Sequence, residues 1–295
     1  MRDKLPEEFR ETQGIRKIWL LFYQDKAALL SFYLFVILII IAIFSYFIAP
    51  YPSNQQFVGF ELMPPSWAEG GKISYFLGTD DIGRDILSRL IIGTSYTLGS
   101  ALIVVIITAI IGGVLGIIAG FSEGIRSRIL EHFFDSFLSI PVLLIAIIIA
   151  TLMQPSLMNA MLSITLALLP YFIHEIYQAI QQELKKDYIL TLRLDGASNW
   201  YLLKTTILPN ITIQYIKEIT RALTIAIVDI SALSFISLGA QRPMPEWGAM
   251  IKDSMGLLYL APWTVILPGI AIIGTIIIGL IFSNGLCKAI EKYYA

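Results

Sequence analysis

Few residues of this chain are equipped for chemistry, and the most telling of them stand in apolar surroundings. Asp229 lies midway along the apolar run Ile213–Leu238, with Ser231 and Ser234 close by. A charged side chain at the centre of a membrane helix costs about 2.5–3.5 kcal/mol on insertion scales, so such a residue usually faces a cavity or finds a partner. Asp229 is therefore either a cavity-lining group on a translocation path, together with Ser231 and Ser234, or a buried packing residue that is hydrogen-bonded or protonated. Asp135, His174 and Glu175 fall near the ends of apolar runs; Asp135 and Glu175 read as end-of-span groups reaching water and His174 as a satisfied boundary histidine, not a ligand. With only His132, His174 and one cysteine, Cys287, there is no metal cluster and no intrachain disulfide. No GxxxxGK[ST] phosphate loop occurs, and no nucleophile stands beside a base. The chemistry on offer is binding and movement across a membrane, without a cofactor in this chain.

The strongest signal is the polar stretch Tyr188–Asn210, YILTLRLDGASNWYLLKTTILPN, set between two apolar runs. Polar and apolar residues alternate at helical spacing over Glu183–Leu194. Gly196 is a helix stop, because glycine enters the left-handed C′ conformation without steric cost. Ser198 can cap a second short helix carrying Trp200 and Tyr201, and Pro209 is expected to end it. The result is a two-helix elbow with Arg193, Asp195, Gly196 and Ala197 at or near its tip. Small residues there permit close approach by another backbone, and Trp200 and Tyr201 are suited to a partner's groove.

The elements that must hold this elbow follow from composition. The chain has 295 residues, is 56% hydrophobic and 15% charged, and has a mean hydropathy of +0.73. Soluble domains are about 45–50% apolar and about 25% charged, so this is an all-α integral membrane protein. Crossing the hydrocarbon core takes roughly 20 helical residues, and six segments qualify: Ala27–Ala49, Thr97–Phe121, Phe134–Thr151, Leu157–Tyr177, Ile213–Leu238 and Trp263–Phe282. Pro141 and Pro170 fall in the third and fourth, where neighbouring groups can re-satisfy freed carbonyls. Of the 21 Lys and Arg residues, sixteen fall on the side that holds both termini and the elbow; Lys72, Arg84, Arg89, Arg242 and Lys252 fall on the other. By the positive-inside rule the termini and elbow face the cytoplasm. A net charge of −1 gives no electrostatic case for nucleic acid.

The domain layout is then a cytoplasmic tail over 1–26, a six-span domain over 27–286 and a cytoplasmic C-terminus over 287–295. Within the domain, 50–96 is an outer loop and 181–210 the coupling loop. The tail ends in IWLLFY, which suits a helix lying on the inner leaflet against lipid. In the outer loop, LGTDDIGRDILSRLIIG (Leu77–Gly93) reads as an amphipathic surface helix capped by Thr79 or Asp80. Asp81, Arg84, Asp85, Ser88 and Arg89 fall on its polar face, and Asp85 with Arg89 is a permitted i,i+4 pair. The second outer loop carries Pro243, Pro245, Trp247 and Trp263, with Trp247 either an interfacial anchor or a plug over a pore. Gly112, Gly116 and Gly120 form two GxxxG steps, read as packing within the chain.

These motifs carry a family resemblance. The elbow resembles the cytoplasmic EAA loop of ABC importer permeases: Glu-Ala-Ala, three residues, Gly, then a downstream Leu-Pro. Gly196 matches the Gly, and Ala197, Ser198, Leu208, Pro209 and Asn210 also fit. LGTDxxGRDxxSR, carried by Leu77, Gly78, Thr79, Asp80, Gly83, Arg84, Asp85, Ser88 and Arg89, is similar to the dipeptide and oligopeptide branch, as is PEWGAM from Pro245 through Trp247 and Gly248 to Met250. RLDGAS, DISALSF and LGAQRPMPEWGAM together look most like the C-type permeases of the Sap group, which implies peptide cargo, antimicrobial peptides included. The resemblance implies a type I importer permease fold with coupling helices, working in the inner membrane of a bacterium. It also implies a second, non-identical permease, two cytoplasmic ATPases that bind ATP and Mg, and a periplasmic substrate-binding protein. The chain departs from the family at Leu190, Thr191 and Leu192, which replace Glu-Ala-Ala. Coupling then falls to Arg193, Asp195 and shape, or to a specialised ATPase. The residues alone leave two other classes open: an ion-coupled secondary transporter or channel using Asp229, and a membrane-embedded enzyme, against which the shortage of convergent catalytic residues argues.

Overall fold

The computed structural model describes residues 7–122 and 124–294, and among them there are helices and connecting turns but no strand. The tail residues 1–6 and the side chain of Asp135 lie outside the described residues. Helix α1 (Glu7–Gln24) is followed by α2 (Lys26–Ile48), whose start is fixed by Asp25. The Asp25 carboxylate accepts the amides of Ala27 and Ala28 at 3.1 Å each, satisfying two donors that no helical carbonyl can reach. Phe22 of α1 is buried among Trp19, Phe32 and Phe282, which packs α1 onto the bundle.

Helices α3 (Ile86–Thr94) and α4 (Ser100–Gly120) join through a wide π turn at Ser95–Gly99. Then come α5 (Ile125–Leu138), α6 (Val142–Thr151), α7 (Leu157–Leu184), α8 (Asp187–Leu194) and α9 (Asn199–Leu202). Helix α10 (Leu208–Phe235), α11 (Trp247–Ser254) and α12 (Trp263–Tyr294) complete the order.

Four of these are long and apolar enough to cross a membrane: Lys26–Ile48, Ile86–Gly120, Leu157–Leu184 and Trp263–Tyr294. The segment expected as one span over Phe134–Thr151 is instead bent by 84° between His132–Leu138 and Val142–Thr151. Pro141 lacks an amide hydrogen and disfavours a helical residue before it, so α5 stops and α6 restarts. The carbonyls released there are met by the Tyr171 hydroxyl, which reaches those of Phe137 and Ile140. Pro170 does not break α7. Helix α10 is long enough to span, but Lys217, Glu218, Arg221 and Asp229 keep it out of the apolar set.

The core is the α4–α7 contact. Gly112, Gly116 and Gly120 face Phe172, Ile176 and Ile180, and a β-carbon on Gly116 would sit 2.7 Å from that of Ile176. The GxxxG steps thus pack within the chain, as expected. Helices α10 and α12 run antiparallel: Lys217 pairs with Glu291 at 3.5 Å, and the hydroxyls of Thr220 and Ser283 are 2.6 Å apart. Since α1 also packs on α12, with Lys17 over the Tyr293 ring, both ends of the described chain and the elbow lie at one end of the bundle. The LGTD and PEWG loops lie at the other.

Gly116→Ala forces α4 and α7 apart and is expected to lower stability by about 1–3 kcal/mol. Gly274→Ala, where nothing lies within 4 Å, is expected to be neutral or stabilising by up to about 1 kcal/mol, since alanine is the better helix former. Thermal unfolding of the purified protein in detergent distinguishes the two.

Candidate functional site

The elbow closes as the glycine predicts. Gly196 takes a φ of +87°. The Ala197 amide donates to the Leu192 carbonyl and the Gly196 amide to the Arg193 carbonyl, each at 3.0 Å. This pair of bonds is the Schellman stop, which satisfies carbonyls at the end of α8. Ser198 then caps α9, its hydroxyl accepting the Tyr201 amide at 3.3 Å. Around this tip Leu194, Trp200 and Tyr201 are 80%, 72% and 52% exposed. Together with exposed Leu190 they make an apolar, aromatic surface where a soluble turn would be polar.

Pro209 does not end the second helix. The chain continues from α9 through a π turn at Leu203–Ile207 into α10, where Pro209 occupies the first turn. The wider turn lets the Leu208 amide reach the Leu203 carbonyl, five residues back, so a residue without an amide hydrogen is absorbed. Elbow and α10 thereby form one continuous helical rod from Asn199 to Phe235.

Glu183, which sequence reasoning passed over, anchors the base of the elbow. Its side chain is 6% exposed and pairs with Lys186 at 2.6 Å. It accepts from the Tyr188 hydroxyl and from Asn210 Nδ2, the latter at 2.7 Å. One carboxylate therefore ties the end of α7 to α8 and to the start of α10.

At the far end, the LGTD segment departs from expectation. Thr79 and Asp80 do not cap a helix; α3 begins at Ile86, and Asp85 is its cap, accepting the Ser88 amide at 2.7 Å and the Ser88 hydroxyl at 2.6 Å. The polar face is buried rather than turned to water: Asp80, Arg84, Asp85 and Arg89 are at most 5% exposed. Asp80 Oδ2 lies 2.6 Å from Arg84 Nε and 3.6 Å from Arg89 Nε, while its Oδ1 accepts the Arg84 amide at 2.8 Å. Arg89 therefore pairs with Asp80, not Asp85. Gly83, at φ +75°, makes the tight turn that brings Arg84 back onto Asp80. Arg242 reaches the edge of this knot at Asp81 Oδ2, 4.0 Å away, and bonds Asp253 of its own loop at 2.8 Å, a bond that raises its pKa. A buried ion pair stays favourable only while its partners are complete.

The second outer loop holds the other residue that the sequence did not single out. Glu246 is fully buried and caps α11, accepting the Ala249 amide at 2.9 Å. Its Oε1 also accepts the Thr97 hydroxyl at 2.9 Å and the Ser231 hydroxyl at 3.0 Å. The Trp247 amide returns to Thr97 Oγ1 at 3.1 Å. Burial pushes the Glu246 carboxyl above the usual carboxylate range, opposed by these donors. The carboxyl binds α11, the π turn before α4 and the last turns of α10 into one latch. Pro245 and Trp247 close over Gly93, the Trp247 indole donating to the Leu90 carbonyl at 3.1 Å. Trp247 is thus buried within the chain. Gly248 packs directly on Ser231, where a β-carbon would lie 2.1 Å from its carbonyl oxygen.

Asp229, Ser231 and Ser234 are all buried within the chain. Ser231 serves Glu246, and Ser234 Oγ accepts the Ala240 amide at 3.0 Å. Asp229 Oδ2 has no partner among the described residues, and neither does His174 Nδ1.

The comparisons with known proteins agree with this architecture. The description "Binding-protein-dependent transport system inner membrane component" matches residues 112–292, and "N-terminal TM domain of oligopeptide transport permease C" matches residues 14–65. The chain belongs to the ABC permease family of binding-protein-dependent transport systems. It is 65% identical to the peptide transport system permease protein SapC of Haemophilus influenzae, over 99% of both chains. It is 46% identical to SapC of Escherichia coli O6:H1, covering 98% of this chain and 97% of that one. The dipeptide transport system permease protein DppC of Escherichia coli K12 is 38% identical, over 94% and 92%. In fold it is similar to a chain of the MetNI methionine ABC transporter in inward-facing conformations, with a TM-score of 0.59 at 14% identity, covering 68% of this chain and 96% of that one.

Asp80→Asn leaves two buried guanidinium groups short of their counter-charge and is expected to cost about 3–5 kcal/mol. Asp81→Asn, at a carboxylate whose side chain is 31% exposed, is expected to cost about 0–1 kcal/mol. The difference is read as a fall in unfolding temperature for the first variant alone.

Proposed function

We propose that this chain is a permease subunit of an ATP-binding-cassette importer for peptides, antimicrobial peptides included, in a bacterial inner membrane. Its 65% identity to a peptide transport permease supports the cargo class. Six crossings are assigned to α2, α3–α4, the bent α5–α6 pair, α7, α10 and α12. Helix α10 crosses with Glu218 and Asp229 turned into the bundle. Both termini and the elbow face the cytoplasm, in keeping with the positive-inside count. The partners are a second, non-identical permease, two cytoplasmic ATPases and a periplasmic binding protein; ATP and Mg bind the ATPases, and this chain hydrolyses nothing.

The observation that carries the reading is the exposed aromatic elbow on the end of a continuous rod. Leu194, Trp200 and Tyr201 enter a groove on the ATPase, with Arg193, Asp195, Gly196, Ala197 and Ser198 at the contact. ATP draws the ATPases together, the rod Asn199–Phe235 moves as a lever, and the far-end latch transmits the motion to the outer loops. Access to the path alternates accordingly. Leu190, Thr191 and Leu192 in place of the family's Glu-Ala-Ala fit a contact made by apolar shape more than by an acid.

Gly196→Pro cannot adopt φ +87° and loses the amide that bonds the Arg193 carbonyl. In proteoliposomes holding the assembled transporter it is expected to abolish ATP-driven peptide uptake while insertion is normal; Gly196→Ala, with open space for a β-carbon, is expected to retain part of it. Uptake persisting in Gly196→Pro counts against the lever. Uptake by the isolated chain that uncouplers abolish and ATP depletion spares points instead to ion coupling through Asp229.

A further inference from the structure

The residues expected to line a path are buried, but a polar cleft opens elsewhere in the bundle. A cleft of about 370 Å³ lies between α7 and α10 at the elbow end, lined among others by Glu175, Gln178, Gln182, Asn210 and Gln214. That volume is within the range of about 300–1,000 Å³ typical of ligand pockets. Its charges are largely matched internally. Glu175 meets Arg221 at 3.4 Å, and Lys186 meets Glu183 at 2.6 Å. What remains unmatched is amide chemistry: among the described residues the side chains of Gln178 and Gln182 have no hydrogen-bond partner, and Gln214 makes one long contact to Glu175 at 3.5 Å.

From this juxtaposition we infer that the cleft between α7 and α10 is a binding site for the main chain of an extended peptide, read by the Gln178, Gln182 and Gln214 amides. The inference rests on the peptide-permease reading above and names where in this chain the cargo is held. A primary amide presents both a donor and an acceptor, the complement of one peptide unit. Gln178 and Gln182 are one turn apart on one face of α7, about 6 Å at 1.5 Å per residue. Groups on one side of an extended chain recur every second residue, about 6.6–6.8 Å. The two repeats match closely enough for both amides to engage one strand-like peptide. Recognition by amides ignores side chains, which suits a carrier whose cargo varies in sequence. A polar stripe on membrane helices otherwise has to be paired or face water.

The test uses the assembled transporter in proteoliposomes with Cys287→Ser as background. Ala179→Cys and Lys186→Cys, lining positions that leave the three amides in place, report the cleft, and modification by a water-soluble thiol reagent is followed at the elbow face. Penta-alanine is the probe, with penta-alanine N-methylated along its main chain as comparison; ATP-driven uptake is measured in the same vesicles. Penta-alanine is expected to slow modification at both positions several-fold, and the N-methylated peptide to slow it far less. Uptake with no protection, or with equal protection by both peptides, overturns the main-chain site while the importer assignment stands. Selective protection without ATP-driven uptake supports the site and overturns the importer assignment. Loss of both overturns both.

Discussion

Helix α10 is held at each end by a buried carboxylate. Glu183 grips Asn210 where the rod leaves the elbow, and Glu246 grips Ser231 near its other end. The two grips are about 30 Å apart along the axis at 1.5 Å per residue, close to the thickness of a bilayer core. Neither carboxylate can release its donors cheaply, because a buried acceptor left unpaired costs about 1–3 kcal/mol and more when charged. The helix between them is therefore fixed in length and register. Between the grips Tyr215 donates to the Ala109 carbonyl at 2.7 Å, and Thr220 meets Ser283. The rod is bound laterally to α4 and α12 as well as at its ends.

Two π turns stand at the two ends of this assembly. One, Leu203–Ile207, lies within the rod, just after the exposed elbow. The other, Ser95–Gly99, presents Thr97 to Glu246. Wide turns of this kind interrupt regular helix bonding and recur at functional sites. The buried Asp80–Arg84–Arg89 knot gives the far end a fixed platform, since its charges are paired among themselves and meet Asp81, and through it Arg242, only at the edge. The LGTD signature is thus a framework for the outer loops, with its charged groups withdrawn from solvent.

Much of this was legible in the sequence because it depends on local chemistry. Gly196 and Ser198 specify the elbow through steric and capping rules that need no tertiary context. The apolar runs specify most of the helices through hydrophobic length. What escaped depended on distance in the chain. Glu246 draws on Thr97, 149 residues away, and on Ser231, 15 residues away, so no periodicity marks it. Asp80 looked like a cap because Asp before an apolar run usually is one, but two arginines that fold over it outcompete the helix amides. Pro209 looked like a stop, and the π turn before it removed the need for its missing amide hydrogen. Asp229 was placed correctly inside a helix, yet which way that face turns is set by packing against the rest of the bundle. The amides of Gln178, Gln182 and Gln214 carry no motif at all; only the α7–α10 geometry gathers them.

The central claim is that the rod moves without changing length and carries the elbow's displacement to the far end. Electron-paramagnetic distance measurements on the assembled transporter test it most directly, with Cys287 replaced by Ser. Labels at Lys204 and Phe235 report the rod, and labels at Phe235 and Tyr259 report the far end. On trapping the ATP-bound state, the account predicts an unchanged distance for the first pair and a shifted one for the second. A change within the rod, or a far end that stays still while the ATPases close, would contradict it.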